Sequence, residues 1–405
     1  MVPALNAIAV CESKLGHHDQ AAAEFLRITR LEPDAWQAWN NLGASYLSAH
    51  QPARAIDALR KAIRLAPDAA NPRFQLGLAF QELKQNEDAF LAFDAAQTLA
   101  PHDAQVTQAW LDTASSLGNQ AADCIERQEY RQAKAILQRI RRPLENAASW
   151  NNLLGYAQFK LGEPEPALKH LQQALTLEPE NEDYLLDVGE FLGIHRAAAS
   201  AVELFEVAVK RMPQSRRARF GLAVSYILME RRDQASHVLE SLLSENSGFE
   251  PAYRALGECY EDAGNWGGLI ELGNKLQAVN PKNPMGWYLT GAGGLRLASP
   301  GPEHLNKAID ALQRGLALDP ASSRLHFTLA KAYQLRENDE AAIRELKDTI
   351  RLEPQHERAH YLLGRLYKKL GQPALAAREL ELHSKIKAAD RTAQYQALLI
   401  SSHAP

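Results

Sequence analysis

The chain has 405 residues, 46% of them hydrophobic, with 45 Lys and Arg against 49 Asp and Glu and a formal net charge of -4. The apolar content excludes a disordered chain, and the charge balance excludes bulk attraction to nucleic acid or to an anionic membrane. Cys11, Cys124 and Cys259 lie far apart, with no CxxC or Cys/His spacing around them, so neither a disulfide framework nor a zinc site is predicted.

The opening MVPALNAIAVCESKLG lacks the basic start and cleavage site of a secretory signal and reads as the interior of a helical pattern. The expectation is that an upstream segment has been cut away. No apolar run reaches the length of a membrane span. Unpaired cysteines favour a cytoplasmic chain, and a periplasmic or secreted one would need its targeting signal on that upstream segment. GHHD at 16–19 places His17, His18 and Asp19 in a turn, where solvated side chains are expected and no metal.

Residues 39–68, WNNLGASYLSAHQPARAIDALRKAIRLAPD, hold two amphipathic faces in succession. Trp39, Leu42, Gly43 and Tyr46 follow i, i+3, i+4, i+7, and Ala55, Ile56, Leu59, Ala62 and Ile63 form a second stripe. Gly43 and Ala55 are small where two antiparallel helices would cross, and Pro67 ends the second helix. Pro33, Pro67 and Pro101 are spaced 34 residues apart, as are Pro179 and Pro213, and Pro320 and Pro354. A fixed period of this length predicts a solenoid, each unit burying its apolar face on the next.

The pattern W-x2-L-G-x2-Y, then small, large, small and Pro, resembles the tetratricopeptide repeat (TPR). It returns with Leu76, Gly77, Phe80, Phe93 and Pro101, and with Val188, Gly189, Phe205 and Pro213. Further copies carry Tyr253, Leu256, Gly257 and Tyr260, then Leu329, Tyr333, Leu346 and Pro354, then Leu363, Gly364, Tyr367 and Leu380. The resemblance implies an all-α fold, a right-handed α-solenoid (superhelix) of about eleven TPR helix-turn-helix hairpins. On this reading residues 1–103 hold repeats 1–3, 104–147 an irregular, degenerate repeat with an insertion, and 148–390 repeats 5–11. Residues 391–405 are read as a C-terminal capping helix and tail, with Tyr395, Leu398 and Leu399 on its apolar face. Gly267, Gly268 and Gly273, the last where a bulky residue is usual, are expected to loosen a second helix, and ASPGPE at 298–303 to lengthen a turn.

Chemistry-bearing motifs are missing: no GxxxxGKS/T, GxSxG or HExxH occurs, and the glycines of TGAGGLR fall inside a first helix. No cofactor, metal or catalytic site is therefore expected. The asparagine ladder of TPR-bearing glycosyltransferases is broken, because Asn41 is followed by Gln75, Leu153, Leu186 and Gly221 at equivalent places. Val10 and Gln75 depart likewise from the Lys and Asn set of chaperone-tail clamps. The basic runs RIRRP and VKRMPQSRRARF are expected to pair with carboxylates of neighbouring repeats, so no nucleic acid is predicted.

What the resemblance implies is a non-catalytic scaffold binding protein or peptide partners on the concave surface, lined by the first helices. Carried over residue by residue, that surface holds Asn40, Phe74, Asn152, Phe220, Arg254, Tyr288, Phe327 and Tyr361. Their neighbours Asn41, Tyr156, Glu258, Arg324, Lys331 and Arg365 would shape specificity. Aromatic and arginine side chains are the usual energetic anchors of interfaces, although such rings also serve to pack one repeat on the next. Charge is graded along it: Asp183, Asp187, Glu190, Glu258, Glu261 and Asp262 precede Arg324, Lys331, Arg365, Lys368 and Lys369. A ligand with a basic and an acidic end would suit that order. Two rival readings are a targeting module excised from a larger enzyme and an assembly factor of the cell envelope or secretion. An uncapped N-terminal repeat would allow homo-oligomers.

Overall fold

A computed structural model describes the backbone of residues 1–297 and 302–402 and the side chains of 1–297 and 303–387. Among the described residues there are helices and no strands, and within each unit consecutive helices pair as hairpins. Two compact units divide the chain, Met1–Phe191 and Leu192–Pro405.

In the first unit, α1 (Val2–Lys14) pairs with α2 (His18–Leu31), α3 (Trp36–Ser48) with α4 (Pro52–Leu65), and α5 (Ala70–Glu82) with α6 (Asn86–Leu99). The degenerate stretch forms a long α7 (Ala104–Glu126), then α8 (Tyr130–Arg139) and a one-turn α9 (Arg141–Leu144). A regular hairpin of α10 (Ala148–Lys160) and α11 (Pro164–Leu177) follows, and α12 (Glu182–Ile194) contains the division between units. Thus the extra residues sought after Asp103 extend a first helix by over two turns. Asp103 starts it by accepting from the backbone N–H groups of Gln105 and Val106.

The second unit continues with α13 (Ala198–Arg211), then α14 (Arg216–Leu228) with α15 (Arg232–Glu245), and α16 (Glu250–Ala263) with α17 (Trp266–Val279). There follow α18 (Pro284–Arg296) with α19 (Pro302–Leu318), α20 (Ser323–Leu335) with α21 (Asp339–Leu352), and α22 (Glu357–Lys369) with α23 (Pro373–Ser402). The expected capping segment from 391 is continuous with α23, while the side chains of Tyr395, Leu398 and Leu399 lie outside the described residues. Most of the turn insertion at 298–303 lies outside them as well.

The signature positions act as the spacing predicts. A large residue of the second helix sits over the first-helix glycine, as Phe93 does over Gly77, where a Cβ would come within 2.6 Å of the ring. The signature Trp also has a polar task. Trp39 Nε1 donates to the Pro33 carbonyl at 2.8 Å and Trp287 Nε1 to that of Pro281 at 3.0 Å. At the same repeat position the Tyr253 hydroxyl donates to the Ser247 carbonyl, and the Nε2 atoms of His326 and His360 reach those of Pro320 and Pro354 at 3.1 Å. Trp, Tyr and His interchange here because each joins a flat apolar body to a donor, which ties a helix to the turn before it. After the α9 insertion the position is held by Asn151, whose Nδ2 donates to the Glu145 carbonyl at 2.8 Å, while Trp150, one residue earlier, donates to Leu137.

Gly273 departs from expectation. The helix α17 is continuous, and the glycine brings it onto α18: a Cβ at Gly273 would lie 2.7 Å from the Gly286 carbonyl and the Thr290 nitrogen. Unfilled space lies on the other flank, where Leu243, Tyr253, Leu256 and Tyr260 wall a cavity of about 350 Å³ against α17.

Candidate partner-binding face

Successive first helices touch directly, α3 with α5 in the first unit, and α14 with α16, α16 with α18 and α18 with α20 in the second. They therefore line one face of each hairpin stack. In the second unit this face carries three adjoining cavities.

The first, about 570 Å³, is walled by Phe220, Val224, Ile227, Leu276 and Met285, with Glu250, Arg254 and Glu258 among its polar groups. Arg254 and Glu258 are shared with the second, about 350 Å³, which extends to Tyr288 and Arg324. Tyr288 is shared in turn with the third, about 220 Å³, where Trp266, Arg296, Thr328 and Lys331 stand beside Glu261 and Asp262. Of the predicted residues, six thus come together: Phe220, Arg254, Glu258, Tyr288, Arg324 and Lys331.

Their surroundings differ from the expected row of exposed anchors. Tyr288 is buried, its hydroxyl donating to Glu261 at 2.7 Å and its ring lying 4.2 Å from the Arg324 guanidinium carbon. Burial, with Glu261 nearby, holds its phenol up at about 12, so it is a hydrogen-bond donor at any ordinary pH. Asn40 and Asn152 are buried too. Asn40 Nδ2 reaches Asn41 Oδ1 at 3.4 Å while its own Oδ1 has no partner, and Asn152 donates to Asp187 at 2.7 Å. Phe74 is half-buried on Phe93, ring centroids 5.7 Å apart, and Tyr156 lies among Tyr130, Phe159 and the Lys160 ammonium. Phe220 leans edge-on against Phe249 and Phe327 stacks on His356. Only Arg254, Glu258, Tyr361 and Arg365 among the predicted residues are exposed.

The charge gradient is cancelled in part internally. Glu190 pairs with Lys160 at 2.6 Å, Asp262 with Arg232 at 2.8 Å, Glu261 with Arg324 at 3.3 Å and Lys369 with Asp339 at 2.6 Å. Members of the basic runs are paired as well, Arg142 with Asp94, Arg139 with Glu87 and Arg219 with Glu245. The partner of Arg219 lies in its own hairpin, on α15, and not in the preceding repeat as expected.

Asp187 keeps an electrostatic cost. Burial raises its pKa, with Glu190 and Asp183 adding to the shift and the Asn152 bond opposing it. A raised carboxyl contributes fully below its unfolded pKa, and that contribution is lost as pH rises through the folded value. Asp187→Asn keeps an acceptor for Asn152 without the charge. Its unfolding midpoint should exceed wild type near about pH 7 and match it near about pH 3, as followed by circular dichroism.

Sequence reasoning missed Met285, Trp266, Arg296 and Thr328. Met285 was within reach, since it is second in α18 as Arg324 is second in α20. Trp266 opens a second helix, and no repeat register points it toward this face.

One trio among the described residues, His326, Glu345 and Asp348, brings potential metal-ligand atoms within 4.8 Å of one another. Both His326 nitrogens are already engaged, Nδ1 with Glu345 at 2.6 Å and Nε2 with Pro320, and Asp348 pairs with Arg351. His360 and Glu379 repeat the pair one period later, with Leu382 where the aspartate would be. The pair is a packing device of the repeat.

Family models for the tetratricopeptide repeat match residues 12–70, 43–104 and 340–390, residues 195–258, and residues 148–181. Together these segments take in more than half of the chain. The chain is a tetratricopeptide-repeat protein. Among solved structures, this TPR chain is similar to Naa15/Naa10 bound to HypK-THB at 12% identity, over 94% of this chain and 68% of that one, TM-score 0.47. It is also similar to the APC/C hetero-tetramer Cut9-Hcn1, at 16% identity over 95% and 94%, TM-score 0.46, and to MamA, at 20% over 42% and 97%, TM-score 0.36. No curated protein sequence matches the chain. TPR arrays are protein-interaction scaffolds in the general sense, and among the described residues no helix is long and apolar enough to cross a membrane.

Proposed function

We propose that this TPR protein is a non-catalytic scaffold that receives a protein or peptide partner on the first-helix face of its second unit. The observation that carries this reading is the row of three adjoining cavities over α14, α16, α18 and α20. Apolar walls there alternate with charged groups, the composition by which interfaces combine anchoring with orientation. Arg254 and Glu258 stand exposed at the centre of the row, where their charges are open to a partner.

A photo-crosslinking amino acid at Val224, inside the row, tests this against one at Val207, which is 48% exposed on the second helix α13. Discrete crosslinked partners should form from Val224 and not from Val207. They should disappear in Arg254→Glu/Glu258→Arg, exposed changes that cost about 0.5 kcal/mol or less in stability. Equal capture from both positions, or capture that survives the double substitution, would defeat the proposal.

A separate reading concerns α1, where Ile8 and Val10 are 48% and 37% exposed. A second copy meeting that helix would appear as a concentration-dependent dimer in sedimentation, lost on Ile8→Glu.

A further inference from the structure

The charges left over on the first-helix face indicate the chemistry of its occupant, an inference that rests on the reading just given. Both carboxylates lining the third cavity are already held. Glu261 accepts from the Tyr288 hydroxyl and from Arg324, and Asp262 from Arg232 at 2.8 Å. The two cations of that cavity are not. Lys331 lies 5.2 Å over the Phe327 ring and Arg296 5.5 Å over Trp266, and neither has an ion pair among the described residues.

An ammonium held half-buried without a direct ion-pair partner loses hydration for little Coulombic return. Burial lowers the pKa of Lys331, and the like charges of Arg296 and Arg358 lower it further, against a smaller opposing pull from Glu261. At the other end of the row, Phe220, Val224, Ile227, Leu276 and Met285 enclose the largest of the three spaces with hydrocarbon. Along the face the order is therefore apolar, then mixed, then cationic.

We infer that the face takes a peptide segment in one direction, with a large apolar side chain among Phe220, Val224 and Met285 and an acidic side chain against Lys331 and Arg296. The carboxylate supplies the direct partner that these two cations lack. A basic side chain at that end is repelled by two unpaired cations. Arg254 and Glu258 lie between the two anchors and fix the intervening backbone or polar groups.

The test uses two fluorescein-labelled pools of short random peptides and the full chain, with binding read by anisotropy. One pool is built from Leu, Phe, Ser, Gly, Asp and Glu; the other replaces Asp and Glu by Asn and Gln. The acidic pool should bind roughly tenfold more tightly. Lys331→Met, which keeps the stem over Phe327, should remove that difference and leave the amide pool unaffected; Arg296→Gln should reduce it independently. Val224→Asp should weaken both pools. Equal binding of the two pools to the wild type, or a difference that survives both cation substitutions, overturns the acidic assignment and leaves the groove reading standing. Binding of neither pool overturns both.

Discussion

Replacing Gly273 by leucine is expected to destabilise the second unit by about 3 kcal/mol, although leucine is what the repeat pattern asks for there. Equivalent positions hold Leu59, Phe93, Phe205, Leu239, Leu312, Leu346 and Leu380, so a family-guided design would make this change to stabilise the protein. The obstacle is backbone. The first atom of the new side chain would fall 2.7 Å from the Gly286 carbonyl and the Thr290 nitrogen of α18, neither of which can swing aside. The space over Gly257, which a large residue of its own hairpin would ordinarily fill, is instead met by Leu289 of the next hairpin, 2.7 Å from where a Cβ would sit. Leu289→Ala should therefore not rescue the variant. Thermal unfolding and amide exchange across residues 266–296 give the measurement, and a midpoint unchanged or raised in Gly273→Leu would show that the crossing is not as close as described.

The second large effect is expected at His360. Its ring is 3% exposed, with Nδ1 2.7 Å from a Glu379 oxygen and Nε2 3.1 Å from the Pro354 carbonyl. Each nitrogen lies within hydrogen-bond reach of an acceptor oxygen, so the ring ties the mostly buried Glu379 carboxylate to the turn before α22. His360→Ala leaves that carboxylate without a partner and opens a cavity. A loss of about 3 kcal/mol is expected, confined to the last two hairpins and visible as faster exchange in α22 and α23. The first unit shows the cure. Trp39 makes the same carbonyl bond at the same position, and the residue corresponding to Glu379 is Ala58. The double variant His360→Trp/Glu379→Ala rebuilds that arrangement and should come within about 1 kcal/mol of wild type. A double variant as unstable as His360→Ala would mean that the contact with Glu379 is not what holds the ring.

These two positions mark how far the amino-acid order reaches. A period of 34 residues, with small residues opposite large ones and proline between units, sufficed for the family, the helical hairpins and the number of repeats. Such features are local: each is a residue's place on its own helix, which helical geometry alone converts into a facing direction. Whether Tyr288 stands out as an anchor or turns in to meet Glu261 and Arg324 depends instead on groups 27 and 36 residues away in adjacent hairpins. The same holds for Asn152 and Asp187, and for those members of the charge gradient that are held in ion pairs across neighbouring helices.

Only packing could assign those partners, because a repeat register says which way a side chain points and not what waits there. The cavities over α14 to α20 arise from that same level, where side chains of four first helices leave space between them. The sequence by itself determined the hairpin and its repetition, since both follow from periodicity within a helix. The tertiary structure alone decided which off-pattern residues are neutralised and which, like Lys331 and Arg296, are left with charge to offer. Burial and pairing belong to several helices at once.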